Sequence, residues 1–162
     1  MTAMRYVTLG LLLMGLLVTG SCGKPPTYEP GGTWSFKGVT NIARYCVGNG
    51  SSAILTATDS TYSGVAGSLN IVFYNVLPVG NGTYTVVKGS YPSRPDQVAI
   101  VSYIGPSIQG VSYQSTGGNG LETVYVSLTN GKMNLTSSQI EMSDTSNPGD
   151  SASLTFKLTQ LQ

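Results

Sequence analysis

The chain carries seven carboxylates (Glu29, Asp59, Asp96, Glu122, Glu141, Asp144 and Asp150), two thiols (Cys22 and Cys46) and no histidine. Without imidazole there is no Ser–His or Cys–His nucleophile pair and no histidine metal site. Carboxylate chemistry remains open in principle. Glycoside hydrolysis needs two such groups facing across a cleft, one of them held protonated. Glu122 and Glu141 fall at outward-facing strand positions, where a solvated charge is expected. No nucleophile elbow, P-loop, zinc motif or Ser-x-x-Lys constellation is present. The stretch Asp144-Thr145-Ser146-Asn147-Pro148-Gly149-Asp150 gathers oxygen donors in one loop. Its spacing is not that of an EF-hand, and its residue types are those of an ordinary turn. The expectation is a chain that is not an enzyme, with no cofactor and no metal.

Recognition chemistry is better represented. Ten tyrosines and one tryptophan are available, and aromatic faces flanked by hydroxyl and amide groups suit sugars. Trp34 alternates with Phe36, which predicts a core position. Tyr91, in Ser90-Tyr91-Pro92-Ser93-Arg94-Pro95, and Tyr113, ahead of a glycine loop, are the candidate ligand-binding residues, because sandwich loops carry recognition. A net charge of +1, with 9% of residues charged, argues against nucleic acid or an anionic membrane as an electrostatic partner, since both select for clustered Lys and Arg.

The elements that must position these groups read as strands. From Thr33 onward the apolar period is two. Trp34 and Phe36, then Leu69, Ile71 and Phe73, then Val124, Val126 and Leu128, then Leu154, Phe156 and Leu158 each alternate with polar neighbours. Such alternation places one face on a core and the other in water. Val98-Ala99-Ile100-Val101 is apolar throughout, as in a central strand covered on both faces. Asn130-Gly131 predicts a tight hairpin. The fold expected for 33–162 is all-β, a single antiparallel β-sandwich of about 8–10 short strands, immunoglobulin-like or related; a closed barrel satisfies the same pattern.

Ahead of the domain, Met1–Arg5 carry one positive charge. The uncharged apolar run Tyr6–Val18 that follows is too short for the ~20 residues a spanning helix takes. Charged, apolar and small-residue segments in that order read as a secretory signal over 1–21. Residues 22–32, rich in Pro and Gly, read as a tether. Two cysteines in an exported chain suggest one disulfide. The favoured alternative leaves Cys22, which lies at the processing site, outside any disulfide. Cys46 then serves as a small hydrophobe in or near the core.

The segment Leu17-Val18-Thr19-Gly20-Ser21-Cys22 resembles a bacterial lipobox. Gly20 and Ser21 fit the positions before the cut, whereas Thr19 departs from the usual Leu, Val or Ile. The chain as a whole is similar to small envelope lipoproteins of Bacteroidota. It shares with them the opening Trp34-Ser35-Phe36-Lys37-Gly38, Gly82-Thr83-Tyr84-Thr85, an Asn-Gly-Lys hairpin and a Leu-Thr-x-x-Leu close. The resemblance implies a diacylglyceryl group on Cys22, a membrane partner and a place in the bacterial envelope, most readily at the outer membrane. It implies no activity. The functional expectation is non-catalytic surface binding or structural contact with a glycan or an envelope protein, the carbohydrate-binding or adhesin-like module being the alternative and an uncharacterised hydrolase the third reading.

Overall fold

The alternating runs form strands around one core. The computed structural model describes residues 29–59, 67–105, 110–118 and 120–161. Twelve strands follow in order: β1 (Gly32–Phe36), β2 (Val39–Ile42), β3 (Tyr45–Asn49), β4 (Ile54–Asp59), β5 (Gly67–Phe73), β6 (Gly82–Val87), β7 (Gln97–Ile104), β8 (Val111–Ser115), β9 (Thr123–Thr129), β10 (Lys132–Ser137), β11 (Ile140–Asp144) and β12 (Ser151–Thr159). The described residues contain no helix. The protein is all-β, as its periodicity predicts, with more and shorter strands than expected because two long strands are broken by bends.

Those bends set the architecture. All strands belong to one sheet in the order β2-β1-β12-β10-β9-β6-β7-β5-β4-β3, with β8 and β11 branching between β7 and β12. β10 and β11 pair in succession with β12, through Thr136↔Lys157 and Ile140↔Leu154. Residues 137–139 therefore face only Thr155 and Phe156, which is a β-bulge. At this bulge the Ser137 hydroxyl accepts the Phe156 N–H at 2.8 Å. On its other edge the bent strand pairs first with β9 and then with β8. β7 makes the corresponding change, from β6 through Ala99 to β8 from Val101.

Each change of partner would strand a backbone group, and an unmet buried N–H is costly. Side chains fill both gaps. Ser115 Oγ accepts the Ile100 N–H at 3.1 Å and donates to the Val87 carbonyl at 2.6 Å. Glu122 Oε1 accepts the Glu141 N–H at 2.8 Å.

The terminal strands β2 and β3 are consecutive in the chain, separated only by Ala43 and Arg44. β2 pairs with β1 and β3 with β4, while the Cys46 carbonyl accepts the N–H of Leu161, beyond β12. The two layers of a sandwich are thus joined at their edges into one flattened, barrel-like sheet. Among the described residues the single departure from antiparallel pairing is β6 beside β7. A parallel neighbour cannot be reached by a hairpin, so residues 88–96 cross back over the domain.

The core takes Trp34, Leu55, Ile71, Ile100, Leu135 and Leu158 from strands all round the sheet, each nearly or fully buried. β7 is buried continuously from Gln97 to Ser102, in line with its unbroken apolar run. Asn130-Gly131 forms the expected two-residue turn, with φ of 52° and 76° and Thr129 opposite Lys132. Lys37-Gly38 does the same between β1 and β2, with φ of 50° and 76°; positive φ at both positions matches the twist of the paired strands.

Candidate functional site

The candidate residues named from sequence are not brought together. Cys22 lies outside the described residues. Tyr91 sits in the crossing loop 88–96 and is 80% exposed. Tyr113 is a correction. It is not a loop residue but an inward-facing position of β8, 3% exposed. Its ring meets the Phe36 ring edge-on at 4.9 Å, so no sugar can stack on it. The reason is register: Tyr113 shares the inner face of β8 with Ser115, because β8 fills the gap beside β7 rather than ending at a free loop.

The Tyr113 hydroxyl reaches the rim of the core, where it meets two charged groups. It donates to Asp150 Oδ2 at 2.7 Å. Lys37 Nζ donates to Tyr113 and to both Asp150 oxygens, the latter at 2.7 and 2.8 Å. The same ammonium lies 4.5 Å from the Tyr113 ring centre, within cation–π range. Lys37 comes from the β1–β2 turn and Asp150 from the loop just before β12. The hydrogen bond from Lys37 holds the Asp150 carboxyl below its ordinary value, reinforced by Tyr113. The Asp150 carboxylate in turn raises the Lys37 ammonium, again with help from Tyr113. Burial is the leading cause that pushes the Tyr113 phenol up. A phenol so protected stays protonated at neutral pH, so the cluster ties loops together and supplies no nucleophile.

The Asp144–Asp150 loop is a turn closed on itself. Asp144 Oδ1 accepts the Ser146 N–H at 2.7 Å and its hydroxyl at 3.0 Å, which lowers the Asp144 carboxyl. Among the described residues no cluster of acidic or thiol groups has metal-binding geometry.

Glu122 and Glu141 do share a groove, with Gln139, Ser151 and Ser153 also on its walls. Their relationship is asymmetric. Glu122 is spent on the Glu141 backbone and packs against Gly118, where an added Cβ would lie 2.7 Å from its carboxyl carbon. Glu141 projects outward and is exposed.

Sequence reasoning missed two concave surfaces. One is an apolar crevice of about 230 Å³ between the β1–β2 hairpin and the ends of β5 and β7. Trp34, Phe36, Val39 and Ile104 line it, with Asn41 and Tyr103 adding polar atoms. The other, about 340 Å³, is bounded by Pro30, Ile42, Arg44 and Tyr45. Its origin is the β2–β3 bend. Ala43 turns fully inward, leaving Ile42 and Tyr45 on the outer face at 43% and 57% exposure. The alternation failure in Ile42-Ala43-Arg44-Tyr45 was its only trace in the sequence.

The chain enters the domain beside this second surface. Gly31 donates to the Ala43 carbonyl at 2.7 Å and accepts the Thr159 N–H at 2.8 Å. An added Cβ at Gly31 would lie 2.5 Å from the Cys46 Cβ, so the entry point is tightly packed. Among the described residues Cys46 has no disulfide partner, and it is fully buried, as expected of a small core hydrophobe; burial pushes its thiol up to about 12. The chain matches no family model, and no curated protein or solved structure is significantly similar to it.

Proposed function

We propose that this is a lipid-anchored protein of the bacterial cell envelope, acting without catalysis through surfaces of its β domain. The lipobox-like Gly20-Ser21-Cys22 supplies the anchor and the Pro/Gly segment a spacer. The observation that carries the reading is the fixed root at Gly31, bonded to Ala43 in the β2–β3 bend and to Thr159 at the end of β12. A tether gripped by the sheet passes the position of its lipid on to a rigid body, whereas a loosely attached domain would tumble freely. Two or more acyl chains on one cysteine suffice for stable anchoring.

The test is mass spectrometry of the mature terminus together with detergent phase separation. A diacylated Cys22 and loss of detergent partitioning in Cys22→Ala are expected. An unmodified terminus, or a Cys22–Cys46 bridge, overturns the reading.

Carbohydrate recognition is the second reading, favoured by the exposed Tyr91 ring. Glycan-array signal that falls in Tyr91→Ala supports it. Equal, negligible signals from both proteins remove it.

A further inference from the structure

From the surface around the tether root we infer a second membrane contact: Pro30, Ile42, Arg44, Tyr45 and Val47 form a foot that rests on the lipid–water interface of the bilayer holding Cys22. The inference builds on the anchored reading above.

The patch has the chemistry of that interface. Ile42, Tyr45 and Val47 are 43%, 57% and 42% exposed, and Ile42 and Tyr45 share one concave surface with Pro30 and Arg44. Tyrosine, apolar along its ring and polar at its tip, is enriched at membrane–water boundaries. Arg44 leans on Asp59, with Nε–Oδ1 at 3.6 Å, yet its side chain is 54% exposed. Its guanidinium is left able to meet a phosphate, for which its fork of donors is suited. With a single cation, the foot depends on apolar contact more than on lipid charge.

Geometry names the bilayer as occupant. Eight residue steps separate Cys22 from Pro30, so the near edge of the foot stands at most about 29 Å from the Cys22 backbone, at ~3.6 Å per residue. The face from which a tether emerges is the one it keeps nearest its anchor. At such range the tether turns docking into an intramolecular event, for which a weak interfacial affinity is enough. β9 lies on the far side of the sheet from β2 and β3, and its Tyr125 is 49% exposed. It provides an internal control of the same residue type.

The chain from Cys22 onward, which contains every described residue, is coupled through Cys22 to maleimide lipid in phosphatidylcholine vesicles containing brominated acyl chains. The buried Cys46 thiol stays unlabelled. Tyr45→Trp and Tyr125→Trp are compared after near-UV circular dichroism shows that both are folded. The buried Trp34 gives the same background in each. Quenching at least twofold stronger at position 45 than at 125, reduced by Ile42→Asp, is the expected result. Equal quenching overturns the proposal. So does a concentration-dependent dimer of the uncoupled chain that Ile42→Asp dissolves, because a second copy would then own the patch. Chemical coupling bypasses biological lipidation, so a negative result here rejects the foot alone, and an unmodified native terminus rejects the anchor alone.

Discussion

The Tyr113 hydroxyl donates to Asp150 Oδ2 at 2.7 Å, bridging β8 to the loop before β12 across 37 positions of sequence. Lys37, from a third part of the chain, closes the triangle. This cluster pins the β1–β2 turn and the loop before β12 over the same end of the core.

Its charges make stability depend on pH in a defined direction. Asp150 has a lowered native pKa, so its contribution is present above the ordinary carboxylate value of about 3.9 and is lost as pH falls through the lowered native value. Lys37 has a raised one, so its contribution is full below about 10.4 and is lost as pH rises through the raised value. Asp150→Asn should melt below the wild type by a constant interval between about pH 5 and 9, and that interval should close in acid. Melting curves across pH measure it; an interval that persists in strong acid contradicts the assignment.

Tyr113→Phe keeps the edge contact with Phe36 and deletes only the hydroxyl. It should cost about 1 kcal/mol, a fall in Tm of roughly 3 °C for a domain of this size. Tyr113→Ala, which also empties a core position, should cost about 3–5 kcal/mol. Denaturant titrations of both variants separate the polar from the packing contribution.

The Cys46 thiol, raised to about 12 by burial, stays protonated in the folded protein while the unfolded chain ionises near pH 8.5. The folded state then holds more protons, so stability falls as pH rises from about 8.5 towards 12, by at most ~1.4 kcal/mol per pH unit. Cys46→Ala should flatten that slope. Iodoacetamide should label Cys46 only after guanidinium is added; rapid labelling of the native protein would contradict its burial.

Glu122 and Glu141 should separate cleanly in stability measurements. Glu122→Ala removes the acceptor of a backbone N–H where the sheet forks and should cost about 1–2 kcal/mol. Glu141→Ala, on an exposed side chain, should fall within ~0.5 kcal/mol of wild type. Urea midpoints test the pair, and equal effects would show that the fork does not need Glu122.

Gly31→Ala puts a methyl group 2.5 Å from the Cys46 Cβ and 2.9 Å from the Thr159 carbonyl oxygen. The expected loss is about 1–3 kcal/mol, typical of overpacking. Since the clash is partly with Cys46, Gly31→Ala should cost less in a Cys46→Gly background than in the wild type, a non-additivity read from urea midpoints of a double-mutant cycle.

Strand identity was local information. The alternation in Leu154-Thr155-Phe156-Lys157-Leu158 fixes which face of β12 is buried, since side chains repeat every two residues along a strand. Asn130-Gly131 specifies its own turn through the positive φ its residues tolerate. The inward position of Trp34 follows from the first of these rules, and so does the expectation of an all-β domain. The bends were not local. β2–β3 and β10–β11 each exchange neighbours part-way along, and only the strands found on either side decide where. Tyr113 was misplaced for that reason: its sequence neighbours suggest a loop edge, and its burial is set by β7 and β11 alongside β8. The Lys37–Asp150 pair, 113 positions apart, and the patch of Ile42 with Tyr45 likewise exist only once the sheet has rolled up, because hydrogen-bond pairing between distant strands carries no signature within either strand.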